Sequence, residues 1–183
     1  MKLDALRSPR YRRFWFGSIG STGASQLYFV GLSWLVFEMT GSAAYLGLLG
    51  FSMAVPTIVA TLMGGLLADR ANRGRILLLT SILAGLCLSF LTILDLTESA
   101  QIWQVLILAA FLGLISGFDL PARIAFFPSL IESSQMMSAV ALSSILWQGT
   151  RMILPAIGGL LIALVDTWLL FFLCSIGFGV MGW

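Results

Sequence analysis

Asp119 and Arg123 stand four residues apart in a mostly apolar stretch, and Arg151 stands alone in the middle of another. Four residues is one helical turn, so the first two share a face and can form an ion pair. A third cluster occupies GGLLADRANRGR, Gly64 to Arg75. There Asp69, Arg70, Arg73 and Arg75 follow a run, Met39 to Ala68, with no charged side chain. An acid among three arginines suits a specific ion-pair arrangement at the edge of an apolar layer. It does not suit catalysis. The chain has no histidine, which excludes His-based zinc sites and His-dependent triads. It also lacks a Walker A loop, a nucleophile elbow, paired carboxylates in one segment and a metal-ligand cluster. The reading is a non-enzyme with no metal, no cofactor and no nucleic-acid partner.

The elements that carry these charges follow from composition. Of the 183 residues, 59% are hydrophobic and 10% are charged, against about 25% charged in a soluble domain. A soluble fold of this length could not hide that much apolar surface, whereas a bilayer requires it. Charges divide the chain into a basic segment, 1–13, and a six-span bundle, 14–183, with spans near 14–37, 43–68, 76–94, 102–122, 137–165 and 167–183. Each is long enough for a helix, and the alternating ten-residue segments of a β-barrel are missing. The fold class is therefore all-α, a polytopic transmembrane bundle. Cys87 and Cys174 lie in apolar runs, where small thiols pack as hydrophobes.

Lys2, Arg7, Arg10, Arg12 and Arg13 precede the first span, and Arg70, Arg73 and Arg75 follow the second. The opposite turns carry Glu38, Asp95, Glu98 and Asp166 with no basic residue. The positive-inside rule then places the N-terminus and the second-to-third turn in the cytoplasm. The basic arm can also touch anionic lipid heads. Asp69 adds nothing to that orientation signal, and the paired Gly64 and Gly65 suggest a close backbone approach. Ser18, Thr22, Ser25, Gln26 and Ser33 recur at helical spacing along the first span. Gly113 and Gly117 form a packing motif, Pro56 and Pro155 are candidate bends, and Pro121 kinks or ends the fourth helix. Asp119 and Arg123 make a local pair, or else reach the Asp69 loop or couple a proton. Arg151 is expected to face the interior near Gln148. There it meets an anionic or polar substrate group, pairs with another helix, or bonds a neighbouring carbonyl.

Gly65-Leu-Leu-Ala-Asp69-Arg70-Ala-Asn72-Arg73-Gly74-Arg75 resembles the loop signature between spans two and three of the major facilitator superfamily. Asn72 stands in place of a glycine and Gly74 in place of a basic residue. SPRYRRFWFGSIGS, PARIAFFPSLIESSQMMSAVAL and Arg151-Met-Ile-Leu-Pro155-Ala-Ile-Gly158-Gly159 resemble stretches of its enterobactin and macrolide exporter branch. The last is similar to the antiporter signature, with Leu154 where glycine belongs. The resemblance implies half of a major facilitator fold. Gly65, Asp69, Arg70 and Arg73 would form a gate, Ser25 and Gln26 would line a cavity, and Gly158 and Gly159 would assist a bend in span five. It further implies a secondary transporter of the bacterial inner membrane, exporting a small amphipathic compound such as a drug or siderophore by alternating access, coupled to protons. A second six-helix half, from the same gene or another chain, would complete it, so the chain is expected to be a fragment or a half-transporter. The alternative is a six-span membrane protein that assembles partners and transports nothing.

Overall fold

The computed structural model describes residues 8–70, 72–132 and 135–181, with side chains of 66–70 excepted. Among these residues the chain is helical throughout: α1 (Pro9–Thr40), α2 (Ala43–Arg70), α3 (Arg73–Leu96), α4 (Ile102–Phe126), α5 (Met136–Leu164) and α6 (Thr167–Met181), with a short 3₁₀ turn at Phe127–Leu130. Chains without water around them must satisfy every peptide group internally, and the helix does so within one segment. Helix ends carry local signals. Ser8 caps α1 ahead of Pro9, and Gly41, at φ +60°, closes it by donating its N–H to the Phe37 carbonyl. Asn72 caps α3 by accepting from the Arg75 N–H at 3.2 Å.

Most helices run past the limits set by charge, because intrahelical hydrogen bonding continues after the apolar stretch ends. The fourth differs most from expectation. Pro121 does not end α4, which continues to Phe126. Proline removes the N–H that the Gly117 carbonyl would accept. Gly64 of α2 packs against that carbonyl: a Cβ at position 64 would lie 3.0 Å from its oxygen.

α2, α3, α4 with its 3₁₀ extension, and α5 are long and apolar enough to cross a membrane by length and composition, and α6 is a shorter apolar helix. α1 is the longest helix at 32 residues, but its polar stripe dilutes its hydropathy. The main contacts are α2 on α4, α1 on α6, α3 on both α4 and α6, and α5 on α1. Exchanging α1 with α4, α2 with α5 and α3 with α6 maps these principal contacts onto themselves. That is the pattern of two nested three-helix repeats. Leu32, Leu88, Leu91, Val105, Leu112, Leu170 and Phe171 fill the shared core. Only 11% of the apolar stretches of α2 and α5 is buried, against 39% in α3 and α4, so α2 and α5 present open faces.

The acidic side chains Glu38, Asp95, Glu98 and Asp166 gather at one end of the bundle. The other end is basic and is tied together by polar contacts. Arg73 donates to the Ala125 carbonyl at 2.9 Å, Ser8 Oγ to the Leu130 carbonyl at 3.2 Å, and Tyr11 Oη to the Ala139 carbonyl at 3.2 Å. Burial pushes the Tyr11 hydroxyl above its ordinary range.

Candidate functional site: a buried ion pair beside an open cavity

One turn of α4 carries both Asp119 and Arg123, and the spacing brings them into contact. Arg123 Nε and Nη2 each lie 3.0 Å from Asp119 Oδ2. Across the interface, Arg123 Nη1 donates to Ser18 Oγ at 3.0 Å and Nη2 to Ser21 Oγ at 3.1 Å, both on α1. Thr80 of α3 donates to Asp119 Oδ1 at 3.0 Å. One salt bridge thus joins three helices, and Arg123 is only 8% exposed. A charge buried this deeply is tolerated when it is paired and its remaining donors are bonded.

Arg123 of the ion pair forms part of the wall of a cavity of about 520 Å³ near the basic end. α1 supplies its floor with Ser18 and Thr22. α4 supplies one wall with Leu120, Arg123, Ile124 and Phe127, and α5 the opposite wall with Val140, Ser143, Ser144, Trp147 and Gln148. The cavity exists because α5 packs on α1 and leaves α4 free beside it. Trp15 also borders it, and its Nε1 is buried with no hydrogen-bond partner among the described residues. The volume falls within the range of drug-sized ligand sites.

The expected site residues separate into those brought together and those that are not. Arg123 and Gln148 line the cavity, and Asp119 pairs with Arg123 without lining it. Ser25 and Gln26 are half-buried on α1 and do not line it, and Ser25 Oγ donates to the Ser21 carbonyl of its own helix at 2.9 Å. Arg151 is exposed in this six-helix unit, where α5 turns Ala139, Leu142, Leu146 and Gly158 inward. Position 151 falls on the other face, with Trp147 and Gln148 one turn before it. In the loop signature, Arg73 reaches α4, a Cβ at Gly65 would meet open space, and the side chains of Asp69 and Arg70 lie outside the described residues. Pro56 and Pro155 lie inside continuous helices. Gly158 packs against Leu27, while Gly159 is open. Ser21 and Thr80, which bond the ion pair, carried no signal in the sequence beyond being small hydroxyl residues in apolar runs. Asn72, read there as a departure from a motif, is a helix cap.

A profile of the family described as transmembrane secretion effector matches residues 2–181. The Staphyloferrin A transporter of Staphylococcus aureus is 31% identical over 135 residues, covering 73% of this chain and 34% of that protein. The uncharacterized MFS-type transporter YfiS of Bacillus subtilis is 32% identical over 132 residues, covering 72% of the chain and 30% of YfiS. Macrolide efflux protein A of Streptococcus pyogenes is 25% identical over 152 residues, covering 83% and 38%. The chain thus spans about a third of the length of the curated relatives it matches. No solved structure matches it. With a profile match along almost its whole length, an all-helical membrane-type fold and a nested three-helix repeat, the chain belongs to the transmembrane secretion effector family of major facilitator transporters.

Proposed function

We propose that this chain forms the N-terminal six-span half of a secondary transporter that moves a small amphipathic compound, such as a drug or siderophore, out of the cell. α1 and α6 complete the six spans, the N-terminus and basic end face the cytoplasm, and the host membrane is the bacterial plasma membrane. A second six-helix half, from the same gene or another chain, covers the open faces of α2 and α5. The two halves rock about the cavity, and a proton gradient drives export. Gly65, Asp69, Arg70 and Arg73 hold the cytoplasmic side in one state, and Asp119 with Arg123 couples α4 to α1 during the motion.

The observation that carries this reading is the ligand-sized cavity between α4 and α5, walled in part by Arg123, which Asp119 pairs. A helix bundle built only to anchor partners has no use for such a void. The names of the relatives supply the compound class, and the segregation of charge supports the orientation.

The test is reconstitution with and without a second half in proteoliposomes carrying a pH gradient. Gradient-driven movement of a fluorescent amphiphile is expected only when both halves are present. Its absence from the complete assembly would overturn the reading. Orientation is checked separately on a cysteine-free background. Arg75→Cys is expected to react with impermeant maleimide from the cytoplasmic side and Ser99→Cys from the outside, and the reverse would reject the topology.

A further inference from the structure

The geometry points to Arg151 as the binding site for the oxyanion of an amphipathic organic anion, whose apolar body lies in the adjoining cavity of α1, α4 and α5. This rests on the transport reading and names its substrate class. Arg151 makes no hydrogen bond or ion pair among the described residues. It sits near the midpoint of α5, too deep for its charge to reach water easily at either end of a span. A guanidinium at that depth requires a counter-ion.

Among the described residues the chain offers none. Of its eight acids, Glu38, Asp95, Glu98 and Asp166 gather at the acidic end. Glu132 lies in the α4–α5 connection, Asp69 at the end of α2 and Asp4 near the N-terminus. Asp119 is the one acid well inside a helix, and both its oxygens are occupied, by Thr80 and Arg123. Arg123, the charged residue of the cavity lining, is neutralised by Asp119, so Arg151, one turn beyond Trp147 and Gln148, is the nearby charge on α5 without a partner among the described residues.

The void lies on the correct side of Arg151. Its i−4 and i−3 neighbours, Trp147 and Gln148, line the cavity. Side chains on a helix lean toward its N-terminus, so a long arginine covers the turn before its own Cα. That turn is the cavity wall. Trp147, Phe127 and Ile124 offer apolar and aromatic surface for a ring system. A carboxylate from the second half is the competing partner for Arg151.

The test uses the complete two-half transporter in nanodiscs and two probes with the same ring body, 8-anilino-1-naphthalenesulfonate and uncharged N-phenyl-1-naphthylamine. Saturable binding is followed by fluorescence. The sulfonate is expected to bind at least roughly tenfold more tightly, a difference expected of a charge-assisted contact. Arg151→Gln is expected to bring the two affinities together while leaving the neutral probe unchanged. Arg151→Lys, which keeps the charge if the glutamine variant fails to fold, is expected to retain the preference. Equal affinities in the parent protein, or a glutamine variant that weakens both probes alike, overturns the assignment, the second outcome pointing to a carboxylate of the other half. Gradient-driven flux of the neutral probe in either case leaves the transport reading standing, whereas loss of flux for both probes removes that reading as well.

Discussion

The internal repeat sets two helix pairs side by side for comparison, α2 with α4 and α5 with α1. The two occupy equivalent places, yet they pack differently. At α2/α4 glycine meets backbone: a Cβ at Gly113 would lie 2.3 Å from the Met53 carbonyl oxygen, and one at Gly117 would lie 2.6 Å from that of Thr57. At α5/α1 glycine meets side chains: Gly158 faces Leu27 and Gly23 faces Leu154. Backbone contact brings axes together, as small residues do between membrane helices, whereas leucines in the seam hold them apart. The tight pair leaves no room for a ligand. The looser pair lies beside the gap between α5 and α4 that becomes the cavity. One topology therefore gives a rigid wall and an accommodating wall, and a few small residues decide which is which.

Where α1 meets α4 directly, the tie is polar: Arg123 reaches Ser18 and Ser21. The largest effect should come from cutting it. Arg123→Leu leaves Asp119 with only Thr80, and breaking a buried pair by removing one partner costs about 3–5 kcal/mol. The thermal midpoint of the detergent-solubilised protein is expected to fall steeply. Asp119→Leu combined with Arg123→Leu should recover much of the loss, since two apolar residues leave no uncompensated charge. If the double variant is no more stable than the single one, the pair is not what joins these helices.

Glycine substitutions set the two walls against each other. Gly113→Ala puts a methyl onto the Met53 backbone, and overpacking of this kind costs about 1–3 kcal/mol. Gly158→Ala meets only side-chain ends, the tightest that of Leu27 at 3.1 Å, which can rotate, so a change below about 1 kcal/mol is expected by the same principle. Reversible unfolding in mixed micelles measures both. Equal penalties would mean that α5 sits on α1 as rigidly as α2 sits on α4, and that the looser seam is not the source of the cavity.

These contrasts were unevenly legible in the sequence. Apolar runs marked every helix, that of α5 interrupted by Arg151, because a bilayer leaves a long apolar segment no other regular structure. The spacing of Asp119 and Arg123 announced their pairing, and Gly113 with Gly117 announced close packing. What each helix turns inward was harder to read. Soluble helices show an apolar face and a polar one, but a helix that is apolar all round gives no such signal. Arg151 was therefore assigned to the interior on depth alone, whereas within this six-helix unit α5 leaves it exposed. Ser21 and Thr80 escaped notice for the same reason: their role depends on which way α1 and α3 face α4. Asn72 was readable from its place ahead of a helix, but comparison with a motif drew attention to the glycine it replaced.

The smallest effect separates hydrogen bonding from packing at the tight pair. Thr57 shares its hydroxyl between the Met53 carbonyl of its own helix, at 2.7 Å, and the Gly113 carbonyl of α4, at 2.9 Å. Thr57→Val preserves shape and removes the donor. Interhelical hydrogen bonds in membranes average about 0.6 kcal/mol, because carbonyls already bonded within their helices lose little. The variant is expected to unfold at a slightly lower denaturant fraction with its cavity and probe binding unchanged. A loss as large as that from Gly113→Ala would make the hydroxyl, not the missing Cβ, the reason α2 and α4 come so close, and the same device would then be absent from α1 and α5 for want of a threonine at the equivalent seam.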